Sequence, residues 1–281
     1  MSGCVFLLHL IALAPTDTKT KKKGGNHMII GITERGDAAL NMSWTKKLHA
    51  VDGIIAITKN LTDEFIEKTT RLHKQNERII VHATCTGWGG SYLEPNVPHP
   101  ETQIHNIKRL IQKGFPESRI VLRIDPIIPT PEGLERVSRV IEMMREENLN
   151  LRIRISILDE YQHVKRRMLA HDCTPFYAPN QLYPTIIQIN FTKQKLQAFA
   201  KKWNCTYELC AEKYLNGECF NHVGCVSIKD LEELDLADRC DVPTEINRQN
   251  RNGCLCLACK KEMLTQKHPC AHKCLYCYWK D

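Results

Sequence analysis

The chain has little net charge for its size, no apolar run of transmembrane length and, after Met28, no low-complexity tract. Each absence excludes something. A helical membrane span needs about 20 consecutive apolar residues, so none is encoded. The formal charge is +7, but Asp17 with Lys19, Lys21, Lys22 and Lys23 places +3 of it ahead of Met28 and leaves +4 for the remainder. A balance that mild gives no electrostatic footprint for nucleic acid. The apolar stretch at 5–14 is long enough for a signal-peptide core but has no positive charge before it. Residues 1–27 are therefore set apart as a leader. Lys23-Gly24-Gly25 can be encoded by a ribosome-binding sequence just ahead of Met28, which favours a start at Met28 over a disordered leader or an export signal.

What is present points to an enzyme-sized α/β domain. A chain of 281 residues, 42% hydrophobic and 25% charged, can bury one large core. Short β-branched runs at 29–33, 54–58, 79–84, 120–124, 152–158 and 206–209 alternate with segments of helical period, the pattern of βα units around a parallel sheet. Leu134, Val137, Ile141 and Met144 recur at helical spacing behind Thr130-Pro131-Glu132, an N-cap, a first-turn proline and an early acid. Six such units are expected, then the pattern stops. The predicted architecture is a TIM-like (βα)6 barrel, partial or closed, over 28–214. A cysteine-rich extension over 215–281 packs on the barrel mouth and is organised by metal ligation. Two long loops, 85–100 and 172–190, are expected to be functional or lid-like.

In a parallel barrel the functional groups lie at the C-terminal strand ends. Here those ends carry Glu34, Arg35, Asp37, Lys59, Arg123, Asp125 and Glu212, the candidate catalytic residues of a polar pocket. The run His163 to Arg167, on the helix after the fifth strand, reads as a solvated face, with a phosphate contact as the minority alternative.

Fourteen cysteines in a secreted short chain would form a disulfide framework. In this longer chain more than half crowd the stretch from Cys225 onward at metal-like spacings, which favours metal and a reducing compartment, the cytoplasm. The strongest motif is Cys270-Ala-His-Lys-Cys274-Leu-Tyr-Cys277. Three thiolates can hold three irons of a [4Fe–4S] cluster and leave the fourth open to chelate S-adenosylmethionine. Structural zinc is the alternative, but it more often uses two paired-cysteine halves.

Glu34-Arg35-Gly36-Asp37, Thr58-Lys59-Asn60, Glu94-Pro95-Asn96, Arg123-Ile124-Asp125-Pro126, Cys210-Ala211-Glu212 and Cys270 to Tyr278 together resemble a family of barrel proteins classed as a domain of unknown function. Its C-terminal cluster resembles the N-terminal one of radical S-adenosylmethionine enzymes. The resemblance implies reductive cleavage of the cofactor to a 5′-deoxyadenosyl radical, with Tyr276, Arg123 and Asp125 on the cofactor and an electron donor of flavodoxin or ferredoxin type. It also marks Cys210, Cys225, Cys254 and Cys256 as recurrent, an expected second iron–sulfur cluster. A zinc site with Cys259 in place of Cys210, or no second metal, are the alternatives. Cys4, Cys85, Cys173, Cys205 and Cys240 read as ordinary thiols. The substrate class to consider is a nucleic-acid base, with a small metabolite or peptide behind it. The competing function is a metal-stapled nucleic-acid-binding module without catalysis.

Overall fold

The structure, a computed structural model, describes residues 27–239, 254–264 and 270–279. The leader up to residue 26, with Cys4, lies outside the described residues, as does Cys240.

All six β-branched runs are strands: β1 (Ile30–Ile32), β2 (Gly53–Thr58), β3 (Ile79–Thr84), β4 (Ile120–Ile127), β5 (Arg152–Ile157) and β6 (Tyr207–Cys210). They pair in parallel in sequence order. The connections carry α1 (Asp63–Lys74), α2 (Pro100–Gln112), α3 (Pro131–Glu146), α4 (Gln162–Ala170) and α5 (Ile186–Trp203). The start of α3 is as its sequence predicts: the Thr130 side chain accepts from Gly133 N at 3.1 Å and Pro131 occupies the first turn. Its apolar stripe, Leu134, Val137, Ile141 and Met144, is buried against the sheet.

In place of six βα units, the described residues form a sheet of eight strands. The cysteine-rich extension supplies β7 (Phe220–Val223), α6 (Ile228–Glu233) and β8 (Lys260–Glu262). β7 pairs with β6 and β8 with β1, both in parallel, giving the order β7-β6-β5-β4-β3-β2-β1-β8. Both are short, polar edge strands, which pair through the neighbour's free backbone edge and so need no apolar pattern of their own.

Laid flat, eight strands would hold their edges about 34 Å apart. Instead Leu257, just ahead of β8, donates its N–H to the carbonyl of Val226, just past β7, at 3.1 Å, so the sheet curls. Alternate residues serve its two faces, as the pleat requires. Ile54, Ala56, Ile79 and Val81 pack outward with the helices. Ile30, Ile32, Ile55 and Ile80 point inward, where Leu231, Leu234 and Leu236 of α6 and the turn after it fill the concave side.

One buried charged layer interrupts this interior. Arg154, 1% exposed, donates to Glu208 at 2.6 Å and to the Cys225 carbonyl at 3.2 Å. Arg152 donates to Glu208 and to Asp230 of α6, each at 2.8 Å. Burial alone would raise the Asp230 carboxyl, but Arg154 and Arg152 hold it below its usual range. His82 lies 3.4 Å from Arg154. Burial, then the charges of Arg154, Arg123 and Arg152, push its imidazole well below the ordinary value of 6.5, so it is neutral. An unfolded chain binds a proton at His82 below pH of about 6.5 while the folded one does not. The stability linked to His82 is therefore fully present above that pH and is lost as the pH falls below it. The expected result is a steeper fall in thermal midpoint from pH 7 to pH 5 for the wild type than for H82Q. Equal slopes would refute the neutral assignment.

Candidate functional site

The C-terminal ends of β1 to β6 open onto one cavity of about 390 Å³. Five of the seven charged candidates line it: Glu34, Asp37, Lys59, Arg123 and Asp125. Arg35 and Glu212 are not among its lining residues. Arg35 is exposed, with its N–H and that of Glu34 donating to Glu262. The Glu212 carboxylate accepts from Ile157 N at 2.9 Å at the end of β5. All seven candidate cysteine ligands do line the cavity, both the 270, 274, 277 set and the 210, 225, 254, 256 set. Cys259 is not among its lining residues; it sits immediately ahead of β8, its carbonyl accepting from Ile30 N at 2.9 Å.

The loop of Cys270, Cys274 and Cys277 is held to the strand ends by named contacts. His272 lies 2.8 Å from the Asp37 carboxylate, which also accepts from Lys59 N and Thr58 Oγ1, each at 2.7 Å, and from Ala39 N at 2.9 Å. Burial would raise the Asp37 carboxyl, yet the hydrogen bond and charge of His272, with the donors of Lys59 and Thr58, keep it below its ordinary value. With its acceptor capacity used, Asp37 anchors the cysteine loop. Asn96 donates to the Ala271 carbonyl at 2.7 Å and Leu275 N donates to the Leu93 carbonyl at 3.0 Å. The long loop at 85–100 is thus the seat of the cysteine loop.

Beneath that seat lies a buried triad in which Glu94, not a candidate from the sequence, joins the candidates Lys59 and Tyr276. The Lys59 Nζ is 2.6 Å from Glu94 and donates to Tyr276 Oη at 2.9 Å; Tyr276 also donates to Glu94, and Thr86 Oγ1 does so at 2.8 Å. Burial opposes ionisation of Glu94, but Lys59, Tyr276 and Thr86 keep its carboxyl below the usual range, and Glu94 in turn raises the Lys59 ammonium against the effect of burial. A fixed positive charge therefore stands near Cys274, whose thiol burial pushes up to about 12.

On the other set of thiols, Cys210 Sγ is 3.3 Å from Cys225 Sγ, and Cys225 N donates to Cys256 Sγ at 3.1 Å. Cys254 is pulled down to about 7, first by its hydrogen bond with Cys256. Two paired cations accompany this set. Arg123 is 2.6 Å from Asp125, which Ser156 also contacts, and Lys260 is 2.5 Å from Glu34. Thiolate sulfur is a soft donor that selects iron–sulfur, zinc or cuprous centres. Anionic ligands beside Lys59, Arg123 and Lys260 fit such a group.

The run at 163–167 is not a solvated face. Arg167 donates to the carbonyls of Cys277 and Trp279, each at 2.7 Å, and His163 lies 2.7 Å from the Tyr278 carbonyl. Lys165 is buried beside Glu160 at 3.1 Å. α4 clamps the far side of the cysteine loop.

Fold and cavity together define an α/β protein with a curled parallel sheet and a thiol-rich, charged site at its strand ends. The chain belongs to the family described as a domain of unknown function, DUF1848, whose model matches residues 38–279. No curated protein matches it. Among solved structures, a class V chitinase from Pseudomonas fluorescens Pf-5 is similar at 11% identity and a TM-score of 0.29, over 66% of this chain and 54% of that one. The chain thus spans about half the length of that structure, and a likeness so distant carries nothing about function.

Proposed function

We propose that the protein is a cytoplasmic radical S-adenosylmethionine enzyme. The observation behind the reading is that Cys270, Cys274 and Cys277, on one docked loop, line the same cavity as five charged strand-end residues. The sheet is then a TIM-like barrel whose mouth receives its reactive centre from the C-terminal loop. When bound, a [4Fe–4S] cluster on these three thiolates would leave one iron for S-adenosylmethionine and supply the electron that splits it to a 5′-deoxyadenosyl radical.

The protein's own residues prepare the site. Lys59, fixed by Glu94, offsets charge beside Cys274 as the thiols lose protons to a metal. Arg123, oriented by Asp125, is the planar donor for the cofactor carboxylate, and Tyr276 gives an aromatic wall for adenine. Ile57, Ile157 and Leu158 add apolar lining that limits water. A flavodoxin- or ferredoxin-type protein is the electron donor, and nucleic-acid bases are the first substrates to screen.

Anaerobic, iron-reconstituted protein reduced with dithionite is expected to release 5′-deoxyadenosine and methionine from S-adenosylmethionine, and C274A to release none. A fully loaded protein that forms no 5′-deoxyadenosine would end the reading.

A further inference from the structure

We infer that the rim of the cavity beside β5 and β6 is the docking face for the electron donor, a small redox protein with an acidic surface. Its apolar anchors are Tyr183, Ile186 and Ile187. The inference rests on the enzymatic reading above and adds where that partner sits. These three side chains, in one short stretch, are 59%, 62% and 77% exposed. Single exposed apolar side chains are ordinary, but a contiguous group marks a contact surface. The fold makes no use of them, since the buried stripe of α5 is Ile189, Thr192, Leu196 and Ala200. They are nonetheless held in place. The Thr185 side chain accepts from Gln188 N at 3.2 Å and the Gln188 side chain accepts from Thr185 N at 2.9 Å. The loop ahead is pinned where Glu160 accepts from Phe176 N at 2.8 Å and from Tyr177 N at 2.9 Å.

The patch adjoins the site. Glu160 N donates to the Leu182 carbonyl at 2.9 Å, so Tyr161 and Tyr183 each follow directly on a bonded pair, and Tyr161 lines the cavity. Tyr161 stacks on His163 with ring centroids 5.6 Å apart, and His163 lies 2.7 Å from the carbonyl of Tyr278, the residue after Cys277. A short run of contacts thus joins the patch to the loop of Cys270, Cys274 and Cys277. A donor docked here is oxidised by one electron as the centre held by that loop is reduced by one.

Charge around the patch selects the partner. From 173 to 207 there is no Asp or Glu, while α5 carries Lys193, Lys195, Lys201 and Lys202. Lys193 bonds to Asn216, which brings in the turn after β6, where Tyr214 is also exposed and Lys213 lies 4.9 Å over its ring. Most acids of this sector are turned inward: Glu160 to Lys165, Glu208 to Arg152 and Arg154, and Glu212 to Ile157 N. Asp172 and Glu218 are the exposed acids between 160 and 218, against exposed Arg166, Lys195, Lys201, Lys202 and Lys213. Apolar anchors flanked by lysines fit an acidic partner whose charge steers the encounter, and electron-transfer pairs use small interfaces. A nucleic-acid strand calls for stacking rings along a basic groove, whereas the most exposed apolar groups here are aliphatic.

Two readouts on the reconstituted full chain test this: equilibrium titration with flavodoxin and with a ferredoxin at low salt, and 5′-deoxyadenosine release driven by either reduced protein or by dithionite. I187D and K195E/K213E are each expected to weaken donor binding about tenfold or more and to slow donor-driven release. Dithionite-driven release should stay at the wild-type rate, with circular dichroism confirming the fold. Added salt is expected to weaken binding to the wild type more steeply than to K195E/K213E. A wild type that binds neither redox protein overturns the assignment, as do variants that bind both as tightly as the wild type. So does a surface on which I187D abolishes binding of oligothymidylate and leaves that of the redox proteins unchanged. Absence of 5′-deoxyadenosine with dithionite sinks only the enzymatic reading, while donor binding lost in I187D keeps this surface.

Discussion

Arg154→Met is expected to lower the free energy of unfolding by about 3–5 kcal/mol, the range for breaking a buried ion pair from one side. The side chain it replaces is 1% exposed and sits between Glu208 and Asp230, themselves buried. Methionine fills similar space but leaves two carboxylates to share the single guanidinium of Arg152. The Cys225 carbonyl loses its donor as well, so the turn that carries one of the clustered thiols loosens. Urea unfolding with an unchanged slope gives the number. Removing one carboxylate along with the cation, in R154M/E208Q, leaves Arg152 paired with Asp230 and is expected to recover much of the loss, because buried pairs are often replaceable as a set but not singly. A loss under about 1 kcal/mol for R154M, the size of a surface pair, would mean that water reaches this layer.

The layer also marks the limit of what the sequence discloses. The central strands were legible because a parallel sheet covered on both faces selects near-continuous β-branched runs, as in the GIIAIT of β2 and the IIVHAT of β3. The FNHV of β7 and the KKE of β8 carry no such pattern. Their membership is decided by which backbone edge is free, a tertiary fact. Arg152 and Arg154 looked like part of an ordinary strand, since their carboxylate partners lie 54 to 78 residues away.

The site divides the same way. Cysteine spacing singled out the 270, 274, 277 set and the family resemblance the 210, 225, 254, 256 set, and strand-end position singled out five charged residues that line the same cavity. Spacing does not separate Cys210 from Cys259, which lies close to Cys254 and Cys256 in sequence; the register of β8 on β1 is what leaves Cys259 out of the cavity lining. Glu94 stands in one of the stretches that carry the resemblance but was given no role, because a single acid in a Gly- and Pro-rich loop normally faces water. Arg167 was read as solvated because its partners, the carbonyls of Cys277 and Trp279, are 110 and 112 residues further on.

Lys59→Met is expected to undock the cysteine loop, and Lys59→Met with Glu94→Gln to restore it. Glu94 is 1% exposed and its charge is balanced by Lys59. Without the ammonium, an uncompensated carboxylate is left beside the Tyr276 hydroxyl and near Cys274. Leaving one buried partner unpaired costs about 3–5 kcal/mol, more than the loop's few backbone hydrogen bonds return at a net of about 1 kcal/mol each. The cheaper outcome is for Leu275 to release the Leu93 carbonyl, and Asn96 the Ala271 carbonyl, letting water reach Glu94. Amide hydrogen exchange at Leu275 reads this directly and needs no bound metal. Its protection should fall by about 10²-fold or more in K59M, the fold-change for about 3 kcal/mol. The neutral amide at position 94 can still accept from Tyr276 and Thr86 without a charge to balance, so the double variant should regain most of that protection. If K59M and K59M/E94Q exchange alike, the lysine acts on the loop through packing alone, and the charge balance beneath Cys274 is not what seats it.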